Sequence, residues 1–536
     1  MKRMMSPASS SSSSLEKKQR LESNDSIMFT NPTMSILKMT SSEDKLFHFL
    51  LQVAAQPQAN GVVLRVAGGW VRDKLLGRES DDVDIVLDSM TGHDFAALVN
   101  LYETSQGHDT RAIGVIKANP EQSKHLETAT MQMGENMGSV DFVNLRAETY
   151  TSEDNRIPIV RIGTPQQDAE RRDFTINSLF YNLATKQVED FTRRGIEDLR
   201  NGRLRTPLDP RVTFLDDPLR VLRAVRFASR FNCTLEEDLR AAAQLEEVRI
   251  ALVRKVSRER VGKEVSNMLT GRAAHPERAL RLLHELKLCE SVFLPSPLLE
   301  KTPICCPDGK EEEVDENVWN QSYAYVYEMY MYLTSGKVLD VDSLTLVKKQ
   351  ELQVRFLACV LLPFRGLCVR DKRRRLIATF VIQEALKLPN RDATDVNNVL
   401  AHVSELQAAT LDTFDRMKTG LLVRSIGAQW EICRDTALVQ ELTDSGPADK
   451  SADARATVLK RYTTFTSHFH EAGLDGVWEL KPLLNGNDLV KQLGVKPGPQ
   501  MKEWLDRILA WQLANPEKSR NECMVHFKAL VADQVS

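Results

Sequence analysis

The stretch SDDVDIVL sets Asp82 and Asp84 two positions apart, with Val83 and Ile85 alternating with them. In an extended strand alternate residues share a face, about 7 Å apart at the usual rise. Both carboxylates therefore project to one side while Val83 and Ile85 turn to a core. Two carboxylates held that close repel each other unless a cation lies between them, and hard oxygen ligands suit magnesium. Asp82 and Asp84 are thus the candidate ligands of Mg2+, on a strand that serves as a rigid platform, with Asp81 ending the turn before it. Just upstream, VAGGWVRD places Gly68 and Gly69 between a β-rich run and a helical one, with Arg72 and Asp73 one turn further on. Backbone N–H groups at such a turn donate to phosphate oxygens. A metal-binding pair beside a phosphate cradle points to chemistry on a nucleoside triphosphate.

These residues need a scaffold, and hydrophobic periodicity predicts one. Phe47, Leu50, Leu51 and Ala54 recur at helical spacing, and 62–66 reads as a strand ending at the two glycines. Helices are expected over 70–76 and 95–102, and strands over 83–87, 112–117, 126–133 and 140–145. Such an order makes a small α/β unit with a mixed sheet. After about Gln166 the pattern predicts helix only, so the chain is of the α+β class: a mixed-sheet head followed by helical neck, body and tail. The expected boundaries are 1–44 for an N-terminal extension, 45–188 for the head, 189–275 for the neck, 276–420 for the body and 421–536 for the tail. Residues 294–316, rich in proline and acid, read as an inserted surface loop, and 443–456 as a second loop.

Taken together, GGWVRD and the acid pair resemble the first motif of the polymerase-β-like nucleotidyltransferases, and the resemblance makes Gly68, Gly69, Arg72 and Asp73 candidate nucleotide contacts. They are most similar to the class II tRNA nucleotidyltransferases, the CCA-adding enzymes, and to their bacterial poly(A) polymerase relatives. Four further stretches match in order. RRDFTIN, 171–177, resembles the second motif, and the resemblance makes Arg171, Arg172, Asp173 and Asn177 contacts of the nucleotide's ribose and triphosphate. DFTRRGIEDLRNGRLR, 190–205, resembles the third, a glycine-containing turn between head and neck. DDPLRVLRAVRFASR, 216–230, resembles the fourth, and RERVGKE, 258–264, the fifth, which supports the neck. The resemblance runs from about Val62 to about Leu269. It implies template-independent addition of CCA to the 3′ end of tRNA from CTP and ATP: the RNA 3′-hydroxyl attacks the α-phosphate and pyrophosphate leaves. Asp82 and Asp84 are the implied catalytic metal ligands. Asp141, in SVDFVNLR, stands where related sequences often carry an acid, and is a candidate third catalytic carboxylate. Two departures stand out: the 294–316 insertion has no obvious counterpart, and Asp216 stands where Glu is common.

The fourth motif also permits a physical reading. Asp216 or Asp217 caps a helix whose first-turn residue is Pro218, a position that tolerates proline. Asp217, Arg220 and Arg223 then follow at i, i+3 and i+6, roughly along one face. A carboxylate accepts hydrogen bonds and a guanidinium only donates them. Cytosine and adenine both offer an exocyclic amine beside an unprotonated ring nitrogen, which matches an Asp/Arg pair; guanine and uracil offer the reverse. Such mismatches cost factors of about 10⁴ in selectivity. By the resemblance, Arg226 joins Asp217, Arg220 and Arg223 as a nucleotide contact.

Arg193 to Arg230 holds ten arginines, no lysine and five acids. Guanidinium forks suit phosphates and base edges. Far downstream, 483–513 reads as helix, Gly/Pro turn, helix, and Lys496 and Gly498 there are candidate contacts to an RNA phosphate. The bulk numbers fit a multidomain globular protein: 536 residues, 42% apolar, 27% charged, net charge −3. The eight cysteines show no zinc-ligand spacing, and no apolar run reaches the roughly eighteen residues of a membrane span. The Ser-rich N-terminus, with methionines at 28, 34 and 39, reads as a disordered tail, which Glu16, Glu22 and Asp25 favour, or as a targeting extension. Cytoplasm and nucleus are expected, with mitochondrial or plastid delivery through that extension. The partners expected are tRNA, CTP and ATP, with no membrane; no oligomeric state is specified. The competing readings are a poly(A) polymerase of the same class and a catalytically inactive RNA-binding protein with this fold.

Overall fold

The computed structural model describes residues 37–80, 82–116, 128–134, 138–149, 158–300, 302–315, 317–335, 339–445 and 451–535. Residues 1–36 of the predicted extension, Asp81, the inner ends of the strands predicted at 112–117 and 126–133, and 446–450 of the predicted second loop lie outside them. The chain forms two compact units, Met1–Thr149 with Ile159–Arg203, and Tyr150–Pro158 with Leu204–Ser536.

The first unit holds α1 (Ser41–Ala54), β1 (Leu64–Ala67), α2 (Gly69–Leu75), β2 (Val83–Leu87), α3 (Gly92–Ser105), β3 (Ile113–Ile116), β4 (Thr128–Gln132), β5 (Ser139–Asn144), β6 (Arg146–Thr149), β7 (Ile159–Ile162), α4 (Pro165–Glu170), β8 (Phe180–Asn182), β9 (Gln187–Glu189) and α5 (Gly195–Arg200). Seven strands form one sheet in the order β3-β4-β5-β2-β1-β8-β9, with β2 and β5 parallel and β6–β7 a separate hairpin. Thr40 and Glu43 close a capping box at the start of α1. Helix α3 comes so near β5 that a Cβ on Gly92 would lie 2.2 Å from the Phe142 carbonyl oxygen. Phe95 stands edge-on to Phe142 at 5.2 Å in the contact this allows.

The expectation of no strand after Gln166 is corrected by β8 and β9, which extend the sheet beyond β1. All three residues of β8 are buried, so the alternation that marks a half-buried strand is missing. Beyond α3, Arg111 is forked onto buried Glu103 at 2.6 and 2.7 Å, and its backbone N–H donates to Asn100 Oδ1 at 2.8 Å.

The second unit is chiefly helical. It opens with α6 (Pro210–Asp216), α7 (Leu219–Phe231), α8 (Glu237–Ala243), α9 (Glu246–Lys255) and α10 (Arg258–Thr270) and ends with helices at Gly486–Leu493, Gln500–Ala514 and Arg520–Val535. The last three share a small core of Leu489, Trp504, Ile508 and Phe527. The 294–316 insertion is not a free loop. Ile304–Cys305 pairs antiparallel with Cys368–Val369, and Arg370 binds Glu311 at 2.6 Å and the Gly309 carbonyl at 2.8 Å. A partner strand some sixty residues away leaves no trace in local sequence pattern. Among the described residues no helix is long and apolar enough to cross a membrane.

Candidate active site

Along β2, Val83 and Ile85 are buried while Asp84 is exposed, and Asp82 is exposed just before the strand begins. Asp141 stands directly across the parallel ladder from Asp84. Its strand β5 is an inner one, and Thr130 Oγ1 on β4 donates to Asp141 Oδ1 at 2.6 Å. The Asp84 carboxyl is pushed up from the ordinary carboxylate range. Desolvation is the largest cause; Asp141 and Asp82 add to it, and Arg172 and Arg146 oppose it. A divalent cation relieves like-charge crowding of this kind, and carboxylate oxygens are the hard donors that suit one, so these residues fit the predicted ion. Among the described residues no three or more His, Cys, Asp or Glu side chains are gathered into a ready-made metal cage.

Gly68 turns β1 into α2 at φ 75°, which side chains rarely adopt, and its N–H donates to the Leu179 carbonyl at 2.9 Å. A Cβ there would lie 2.7 Å from Arg172 Nη1, so Arg172 lies against the glycine turn. Asp168 orients that guanidinium, at 2.8 Å from Nη2 and 3.0 Å from Nε, with the Phe180 ring 5.1 Å away. Arg171 takes the other Asp168 oxygen at 2.6 Å and Glu148 at 3.0 Å. Asp168 has no exposed surface, and the Arg146 N–H donates to it at 2.9 Å. Burial pushes the Asp168 carboxyl up, but Arg172 and Arg171 outweigh it and hold the group down at about 2. Burial likewise opposes the charge on Arg171, and Asp168 and Glu148 more than restore it. Sequence reading missed Asp168, which looks like part of a solvated helix face. The available signal was its i,i+3 and i,i+4 spacing to Arg171 and Arg172.

The other first- and second-motif residues form an inner network. Arg72 donates to Asp73 at 2.8 Å and to Asn177 Oδ1 at 2.5 Å, and Asn177 Nδ2 donates to Asp173 at 3.0 Å, all four being buried. They tie α2 to the 173–177 segment, while Gly69 is exposed. The third motif seats against that same segment. A Cβ on Gly195 would lie 2.5 Å from the Thr175 carbonyl oxygen, and Thr175 Oγ1 donates to buried Asp198 at 2.7 Å.

In the second unit α7 begins at Leu219, one residue later than predicted, with Pro218 in the cap position. Asp217 Oδ1 accepts the Leu219 N–H at 3.3 Å, and the Arg220 N–H donates to the Asp217 carbonyl at 2.9 Å. The Asp217 carboxylate is also forked by Arg260 of α10, at 2.8 and 3.3 Å. Arg226 donates to buried Glu264 at 2.6 Å, and Arg223 approaches the same carboxylate at 3.9 Å. Every charged position of the fifth motif but Glu259 and Lys263 thus acquires a task. Arg258 binds the carbonyls of Ala385 at 2.6 Å, Ser291 at 3.0 Å and Val292, with burial pushing it down to about 10. A Cβ on Gly262 would lie 1.7 Å from the Leu386 carbonyl oxygen, so α10 packs directly on that backbone. Arg260 and Glu264, 43 and 38 residues from their partners, were not among the predicted site residues. In the tail, Lys496 and Gly498 are exposed in the turn between Gly486–Leu493 and Gln500–Ala514, which Gly494 opens at φ 69°.

The chain is similar to several known proteins. Residues 64–205 match the family model described as the poly A polymerase head domain. A tRNA nucleotidyltransferase of Schizosaccharomyces pombe is 35% identical over 480 residues, 88% of this chain and 93% of the relative. The mitochondrial CCA tRNA nucleotidyltransferase of Saccharomyces cerevisiae is 34% identical over 541 residues, 96% of this chain and 97% of the relative. Among solved structures, the apo form II of a CCA-adding enzyme shares the fold with a TM-score of 0.61 at 21% identity, covering 92% of this chain and 96% of that one.

Proposed function

The chain belongs to the CCA tRNA nucleotidyltransferase family, and from that premise we propose how its residues build the CCA end of tRNA from CTP and ATP. The observation that carries the reading is the head geometry: Asp84 is exposed on β2 with Asp82 exposed just before it, Asp141 stands across the ladder from Asp84, and Arg172 lies against the Gly68 turn. In the reaction the RNA 3′-hydroxyl oxygen bonds to the α-phosphorus, the bond to the β-phosphate oxygen breaks, and pyrophosphate leaves. Magnesium held by Asp82 and Asp84 supplies neutralisation of the triphosphate and a lowered pKa for the attacking hydroxyl.

The chain's own groups do the rest. Gly68 keeps the β1–α2 turn open to phosphate oxygens, and Arg172, with Arg171 behind it, presents positive charge whose direction Asp168 sets. Arg72, Asp73, Asp173 and Asn177 act by holding this turn in register. Asp217 and Arg220 accept from and donate to the pairing edge of cytosine or adenine, with Arg223 and Arg226 supporting them. Asp141 serves as the third carboxylate. The neck, body and tail, 189–275, 276–420 and 421–536, engage the tRNA, and Lys496 and Gly498 meet its backbone. Residues 1–44 direct part of the protein to mitochondria, as the naming of the yeast relative supports, and the remainder serves the cytoplasm and nucleus.

Incubation with tRNA ending before CCA and labelled nucleotides tests this. Two cytidines and one adenosine per molecule are expected. Long runs of adenosine with CTP ignored would instead make the protein a poly(A) polymerase, and no incorporation at all would make it an inactive RNA binder.

A further inference from the structure

Three arginines gather on the head around buried Asp168, and two of them have partners. Arg171 and Arg172 share the Asp168 carboxylate, and Arg171 also reaches Glu148. Arg146 differs. Its backbone N–H is held by Asp168, but among the described residues its guanidinium has no hydrogen-bond or ion-pair partner, and its Nε is sealed from water. It follows β5, the strand that carries Asp141, by two residues. It is close enough to Asp84 to oppose the rise of that carboxyl.

Such a group has no structural return. A half-buried cation with one nitrogen sealed from water and no bound counter-charge costs the fold that holds it, and folds ordinarily pair such a group or replace it. Burial, and next the charge of Arg171, push the Arg146 guanidinium down, with Arg172 adding to that and Asp168 and Glu148 working against it. The two carboxylates that act on it most, Asp168 and Glu148, are already bound by Arg171 and Arg172. A partner that arrives from solution and carries negative charge completes the set, and guanidinium geometry suits phosphate above other anions.

We propose that Arg146 is a substrate-binding residue that takes a phosphate oxygen, and that its missing counter-charge is the substrate. This rests on the reading of the head as a nucleotidyl-transfer site. Two phosphate sources meet at such a site, the triphosphate of the incoming nucleotide and the 3′-terminal phosphodiester of the RNA. Arg146 is neither a metal ligand nor part of the base-reading set.

The test uses the full-length protein with Arg146→Met, which keeps length and removes charge, and Arg146→Lys, which keeps charge and loses the fork. Three quantities are read: Tm without ligand, the Kd of inorganic tripolyphosphate and CTP, and the Kd of tRNA. The expectation is a roughly tenfold or greater rise in one of the two Kd sets for Met, with partial recovery for Lys, and a Tm at or above that of the unsubstituted protein. A rise for tripolyphosphate and CTP names the triphosphate as the source. A rise for tRNA alone, with a salt dependence shallower by about one charge, names the phosphodiester. A fall in Tm with both Kd sets within twofold would make Arg146 a structural residue and overturn the proposal. Because binding is measured without turnover, the result stands apart from the proposed reaction. If the protein adds no nucleotide to tRNA, the reaction reading fails while the phosphate measurement still decides the role of Arg146.

Discussion

Asp168→Asn is the substitution whose consequences follow most fully from the geometry. The side chain is sealed from water and accepts from Arg171, Arg172 and the Arg146 N–H. Asparagine keeps the shape and one acceptor but removes the charge between two guanidinium groups. Holding the carboxyl at about 2 rather than 3.8 corresponds to about 2 kcal/mol at neutral pH. Stranding the buried arginines adds to this, up to the 3–5 kcal/mol typical of breaking a buried pair. The folded-state value lies below the unfolded one, so this stability is present above about pH 4 and drains away as pH falls towards 2. The Arg146 amide donates to Asp168 and therefore reports locally. In hydrogen exchange at pH 7, Asp168→Asn should speed that amide at least ~30-fold, the equivalent of about 2 kcal/mol. The difference should shrink by a similar factor when exchange is followed towards pH 2.5. The KM for CTP should rise as well, because Arg172 loses the group that aims it. Equal exchange in the two proteins at pH 7, or a difference that ignores pH, would refute the view that Asp168 organises this cluster by charge.

Gly68→Ala forces a side chain into a positive-φ turn, at about 1–3 kcal/mol, and presses on Arg172. KM for both CTP and ATP should rise together while discrimination between them is kept, as steady-state kinetics would show. Gly195→Ala drives a methyl group into the Thr175 carbonyl, so a loss of about 1–3 kcal/mol in denaturant titration is expected. Lys496→Glu should weaken tRNA binding and flatten its salt dependence by about one charge or more, with the KM for CTP unmoved.

Much of the head was legible because its chemistry is local in sequence. The D-x-D alternation marked Asp84 as the exposed position of β2, since Val83 and Ile85 had to be buried, with Asp82 exposed just before the strand. The glycine pair marked the positive-φ turn at Gly68. The Gly486–Leu493 and Gln500–Ala514 pair was readable from Gly494 and the prolines between the helices. What escaped was set by distance along the chain or by complete burial. Strands β8 and β9 are three residues each, and β8 is covered on both faces, so neither length nor alternation announced it. The pairing of Ile304–Cys305 with Cys368–Val369 joins segments that share no local pattern. Asp168 sits among polar residues and reads as solvated until its two arginines are seen to close over it. Arg260 and Glu264 appear as a charged helix face, and only the packing of α10 shows that they hold Asp217 and Arg226.

Asp84 is the residue on which the account turns. Single-turnover addition of CMP to a tRNA ending before CCA, measured with CTP binding on the same preparation of Asp84→Ala, tests it most directly. Addition should fall by about 10³-fold or more, on the scale of losing a metal-held transition state, with CTP affinity changed by only a few-fold. Addition within about tenfold of the unsubstituted protein would show that the carboxylates on β2 are not where nucleotide transfer takes place.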